Sequence, residues 1–204
     1  MENLQIGTNG WQMPEGTGGF YPEDMPVEWQ LVYYSNAFRV VLVPEPQWMA
    51  WDEVALEECV DSVEGEFGFY LRVDGELSED KVQSVEKVLN GLGERLQGIL
   101  VFSDKSVPAA LVHGLPVSLL STVGAEALSL PGWSGQVGGY QISGKPVGYC
   151  DDLSADGKQQ AALLRGFMQQ VPENSLGVVF FIGGDSINMN HIANLKMVGE
   201  FLGY

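Results

Sequence analysis

Val178-Val179-Phe180-Phe181-Ile182 is a run of five consecutive apolar residues. A strand with one wet face alternates apolar and polar side chains. A run that is apolar at every position fits a strand covered on both faces, as in a parallel sheet flanked by helices. Working outward, six further short runs rich in β-branched and aromatic residues read as strands: Leu4–Thr8, Arg39–Val43, Gly68–Val73, Gly98–Phe102, Pro116–Leu120 and Val137–Ile142. Amphipathic segments separate most of them. The clearest is 79–96, where Val82, Val85, Val88, Leu89, Leu92 and Leu96 form a stripe at spacings of three and four. Ser78 is its expected N-cap, with Glu79 and Asp80 in the electropositive first turn. Further helices are expected over 27–38, behind Pro26, and over 53–63, 157–171 and 189–202. Residues 121–136 are rich in Gly, Ser and Pro and read as a long loop.

Alternation of strand and helix implies parallel pairing through right-handed crossovers. A closed barrel and an open doubly wound sheet both satisfy that order. The 204 residues suffice for one domain with a substantial core, and 45% hydrophobic residues are ordinary for a globular chain.

With 27 acidic and 10 basic residues the formal charge is −17. Nucleic acid and anionic membrane surfaces are therefore not the expected partners, since both require a basic face. No apolar stretch approaches the roughly 20 residues that span a bilayer, and the first residues have no secretory pattern. Cys59 and Cys150 stand far apart and fit no metal or disulfide framework, as in a reducing cytoplasm. The two histidines, His113 and His191, lie in no metal-ligand spacing, so no metal site is expected. No nucleophile elbow or P-loop occurs, and no cofactor can be named.

Ile6-Gly7-Thr8-Asn9-Gly10-Trp11, then Phe20-Tyr21-Pro22, Glu28-Trp29 and Tyr33-Tyr34, resemble the opening of the YecE-like family, TIM-barrel proteins grouped as domain of unknown function 72. Gly68–Val73, Leu92–Phe102 and Val179-Phe180-Phe181 with Ala193-Asn194-Leu195-Lys196 are similar to later elements of that family. The resemblance implies an α/β, TIM-barrel-like fold over residues 1–204, incomplete or distorted, with about seven parallel strands. It also exposes departures. Where the family carries V-E-I-N-S-T-F-Y, this chain has Val41-Leu42-Val43-Pro44-Glu45-Pro46-Gln47-Trp48. The family's V-R-L-H-G becomes Tyr140-Gln141-Ile142-Ser143-Gly144, and its F-N-N becomes Phe181-Ile182-Gly183-Gly184. Between residues 106 and 116 the chain passes so quickly from one strand to the next that about one βα unit is missing.

Polar residues at the C-terminal ends of strands are where barrels place chemistry. Here the candidate catalytic carboxylates are Glu45, Asp185 and Asp104, which could act as an acid–base pair on a sugar-like substrate. Candidate ligand contacts are Trp11, Trp48, Arg72, Gly183 and Gly184. The glycines stand where a phosphate could meet free backbone N–H groups, with Ser186 or Asn190 as a simple helix cap the cheaper account. The tryptophans equally fit core packing. Two functions stay open. One is a non-catalytic barrel derivative that works by binding or assembly, with an apolar gap at the missing unit buried in a homodimer. The other is a hydrolase of a small carbohydrate or phosphorylated ligand, which requires Glu45, Arg72 and Asp185 to converge.

Overall fold

The structure, a computed structural model, describes residues 4–12, 19–124, 128–173, 175, 177–184 and 187–204. Their strands are β1 (Leu4–Thr8), β2 (Val40–Val43), β3 (Gly68–Asp74), β4 (Leu96–Phe102), β5 (Leu111–Val112), β6 (Leu115–Thr122), β7 (Trp133–Val137), β8 (Tyr140–Gly144), β9 (Val147–Cys150) and β10 (Val178–Ile182). Their helices are α1 (Gln30–Ala37), α2 (Glu45–Met49), α3 (Glu53–Asp61), α4 (Glu79–Leu92), α5 (Gly157–Met168) and α6 (Met189–Leu202).

The fold is mixed α/β. One sheet runs β1-β10-β9, all parallel. The other runs β2-β3-β4-β6-β8-β7, parallel from β2 to β6 and antiparallel from there on. A single parallel bridge, Asn9 to Leu42, joins the two sheets at the β1–β2 seam. Among the described residues no ladder joins β9 to β6, so the strands do not form a closed hydrogen-bonded barrel.

The VVFFI run is apolar throughout because both faces of β10 are covered. Phe180 packs edge-on to Phe167 of α5 at 5.4 Å, while its neighbour Phe181 meets Tyr70 of β3 at 5.3 Å. Tyr70 and Phe181 thus fill the space between the two sheets. On the helix side, buried Gln160 of α5 finds partners for its polar end: its Nε2 donates to the Ser154 and His191 carbonyls, and its Oε1 accepts from Asn194 of α6 at 2.8 Å. That tie fixes α5 against α6.

The N-terminal motif has a structural job. The Tyr34 hydroxyl of α1, fully buried, accepts from Thr8 N at 2.9 Å and donates to the Val40 carbonyl at 3.1 Å. It thereby pins α1 over the β1–β2 seam, where pairing is thinnest. Ser78 caps α4 as expected, accepting from Lys81 N. The cap of α6 is Asn188 rather than Asn190, with its Oδ1 accepting from Asn190 N and His191 N. Ser186 itself lies outside the described residues.

Three segments differ from expectation. Val137–Ile142 is two strands, because Gly138 and Gly139, with φ of 59° and 88°, turn the chain back between β7 and β8. Two successive residues at positive φ are what a tight two-residue hairpin needs. The end of the supposed loop, Trp133–Gln136, is part of β7. The connection from β4 to β6 crosses residues 103–114 with no helix, only the short β5 hairpin, which accounts for the apparent missing unit. β8 pairs along β6 at the place a further parallel strand would take.

Candidate functional site

The C-terminal ends of β3, β4, β9 and β10 meet in one cluster centred on Arg72. Its guanidinium lies 4.2 Å over the Phe102 ring. Its Nε donates to Asp74 Oδ1 at 2.8 Å and its Nη1 to the Tyr149 hydroxyl at 3.1 Å. That hydroxyl donates to Asp151 Oδ1 at 2.7 Å, and the Tyr140 hydroxyl donates to Asp151 Oδ2 at 2.5 Å. The rings interlock as well: Tyr149 packs edge-on to Phe102 at 4.8 Å and to Tyr140 at 5.4 Å.

Electrostatics follow from this wiring. Burial alone would lower the Arg72 pKa, but Tyr149 and Asp74 outweigh it and hold the guanidinium above its usual value. Burial, then the hydrogen bond to Asp151, pushes the Tyr140 phenol up to about 12, and the same causes push Tyr149 up further. Both phenols are firmly protonated near neutrality and serve as donors to Asp151.

Gly183 and Gly184 sit under this cluster. A Cβ at Gly183 would overlap the Tyr149 hydroxyl and come within 3.1 Å of Asp151 Oδ1. Gly184, at φ +89°, abuts the Asp151 backbone. The Gly183 N–H is spent on the Cys150 carbonyl at 2.8 Å, so it is not turned toward an anion.

The other candidates are occupied locally. Glu45, in the first turn of α2, takes the Asp74 amide at 2.7 Å and an ion pair with Lys81 at 2.9 Å. It touches the same residue as Arg72 but faces a different partner. Asp104 accepts from Thr122 N at 2.6 Å and Thr122 Oγ1 at 2.8 Å, tying the end of β6 to the loop after β4. Trp48 is buried and its indole N–H donates to the Arg72 carbonyl at 2.7 Å. Trp11 is buried against Trp51, with ring centroids 6.3 Å apart. Asp185 lies outside the described residues. Among the described residues, one buried side-chain polar atom has no hydrogen-bond partner: Asn9 Oδ1, at the end of β1. A water or a hydroxyl donor would satisfy it.

The structure brings Arg72 and the two glycines together with Tyr140, Tyr149 and Asp151, which sequence reasoning did not single out. Tyr149 and Asp151 belong to β9 and its exit, and β9 itself went unread. Gly138-Gly139 was the available signal, since recognising that hairpin leaves Val147–Cys150 as a separate strand.

Residues 5–122 match the family described as protein of unknown function DUF72. No curated protein matches the sequence. Solved structures similar to this one include a DUF72 family protein from Thermotoga maritima, at 13% identity and a TM-score of 0.62, covering 98% of this chain and 99% of that one. Another is a DUF72 family protein from Enterococcus faecalis, at 11% identity and a TM-score of 0.61, covering 97% of this chain and 95% of that one. At such identities the likeness concerns the fold.

Proposed function

Because the chain belongs to the DUF72 family, whose name carries no activity, we propose from its own strand ends that it is a non-catalytic member acting by binding or assembly. In this reading it descends from a TIM barrel whose ring was opened by the β7–β8 hairpin and whose mouth was filled from within. The observation that carries the proposal is the closed set of partners around Arg72. Cation, phenols and carboxylate satisfy one another, and aromatic rings occupy the space a substrate would need.

Chemistry at a barrel mouth needs groups whose hydrogen-bonding capacity is free for the reacting atoms. Glu45 and Asp104 instead spend theirs on backbone amides and on Lys81 and Thr122. A reducing, cytoplasmic setting is part of the reading: both cysteines are free and buried. A homodimer burying a barrel gap is not, because the chain's own β8 occupies that place. An assembly surface is to be sought elsewhere.

The test is an activity screen of the purified chain on chromogenic glycosides and phosphate esters, beside Glu45→Gln and Asp104→Asn. No turnover above that of the two variants is expected. Turnover by the wild type that either substitution abolishes would overturn the proposal in favour of a hydrolase.

A further inference from the structure

Helices α5 and α6 leave an open groove of about 490 Å³ between them. Its apolar floor and wall come from Ala161, Val198, Met197 and Phe201. Phe201 is 91% exposed and Met197 60%, although both stand on a helix whose opposite face is core. They are four residues apart, so they form one ridge. The remaining polar lining is Lys158 and Arg165, seven residues apart on α5 and therefore on one face, about 10 Å apart along the axis.

This composition is out of keeping with the chain. With 27 acidic and 10 basic residues, a surface drawn at random would be acidic. The groove is lined by two cations and no carboxylate. Neither cation makes an ion pair among the described residues, where the pairs are Arg72–Asp74 and Lys81–Glu45. A stripe of exposed apolar side chains flanked by unpaired cations is the complement of an amphipathic helix with acidic flanks.

We propose that the α5–α6 groove docks an acidic amphipathic helix of a partner protein, an inference that rests on the reading of the chain as a binding protein. The incoming helix sets its apolar stripe on Met197 and Phe201. Carboxylates seven residues apart on its flank pair with Lys158 and Arg165. A second copy related by a two-fold axis is a poor occupant, because the groove would then face its own Lys158 and Arg165.

The probe is a labelled synthetic helix with a leucine stripe and glutamates seven residues apart on one flank, and a twin with lysine at those positions. Anisotropy against the full chain should show binding of the glutamate peptide alone, weakening as salt rises. Phe201→Asp, and Lys158→Glu with Arg165→Glu, should each lower affinity at least about tenfold. Both touch exposed positions, and circular dichroism confirms that the variants fold. Val54→Asp, on exposed apolar surface of α3, should leave binding unchanged.

The proposal is overturned if neither peptide binds, if both bind alike, or if Val54→Asp weakens binding as much as Phe201→Asp. It is equally overturned if Phe201→Asp dissolves a dimer seen in sedimentation, or if the chain pellets with phosphatidylserine vesicles. Turnover that depends on Glu45 would refute the non-catalytic reading and leave the peptide result standing. Failure to bind either peptide in a chain without turnover refutes the groove alone.

Discussion

Gly183→Ala tests whether the strand-end mouth is full. The new Cβ would overlap the Tyr149 hydroxyl, lie 2.6 Å from its ring carbon Cζ and 3.1 Å from Asp151 Oδ1. Tyr149 has nowhere to go, since its ring is wedged against Phe102 and Tyr140. Overpacking of this kind costs about 1–3 kcal/mol. Displacing the hydroxyl also breaks its bonds to Arg72 and Asp151, each to a charged group and worth about 1.5–3 kcal/mol. Asp151 is exposed and Arg72 half-buried, so water recovers part of that loss. A net destabilisation of about 3–5 kcal/mol is expected, or about 10 °C in Tm for a chain of this size. Urea unfolding followed by tryptophan fluorescence measures it. Gly166→Ala on α5 is the control: nothing lies within 4 Å of its new Cβ, and removing a helical glycine should stabilise by up to about 1 kcal/mol. If Gly183→Ala costs less than about 1 kcal/mol, the mouth has spare room and the case for a filled site collapses.

Tyr34→Phe removes the hydroxyl that bridges Thr8 and Val40 and leaves a buried amide and carbonyl short of a partner, so it should cost about 2–4 kcal/mol in the same assay; an isoenergetic variant would mean that α1 does not hold the seam. Burial, helped by neighbouring carboxylates, pushes the Cys59 and Cys150 thiols up to about 12, and burial raises the Tyr34 and Tyr70 phenols. Such groups keep protons in the folded chain that the unfolded chain has already lost. Stability is therefore intact below the unfolded thiol pKa near 9 and falls as pH rises toward the folded value, by about 1.4 kcal/mol per unit for each titrating group. Urea midpoints that stay level from pH 8 to 11 would contradict this. Ellman's reagent at pH 8 should leave both thiols unmodified until denaturant is added; prompt labelling of the native chain would contradict their burial.

The parts of the fold legible in the sequence are those fixed by short-range chemistry. The α4 stripe with its Ser78 cap and the α6 span 189–202 follow from periodicity and capping, and β10 from an apolar run with two covered faces. What escaped is the stretch from 133 to 150, where three strands stand in place of one. Hydrophobicity does not distinguish one strand of six residues from the two halves of a hairpin; the positive φ of Gly138 and Gly139 does, and a Gly-Gly pair was the mark of it. The β4–β6 shortcut was visible as a length deficit, but the chain gave no hint that an antiparallel strand would cover it, because that pairing joins residues far apart in the chain, from Thr122 with Tyr140 to Ser118 with Gly144. At the site, Arg72 could be placed by register alone. Tyr149 could not, since an aromatic side chain in a strand usually reads as core.

The same limit explains why Gly183-Gly184 invited a phosphate reading. Two glycines before a helix suggest backbone N–H groups left open for an anion, yet a glycine can also be small because a neighbour is large. Here the second cause holds: the volume absent at 183 is present as the Tyr149 hydroxyl, and the Gly183 N–H is bonded to Cys150. The two cannot be varied independently. Any side chain at 183 needs a smaller residue at 149, and removing the Tyr149 hydroxyl strips Arg72 and Asp151 of a shared partner. The glycine at 183 and the tyrosine at 149 are thus one packing arrangement. A change at either position therefore has to be read together with the other.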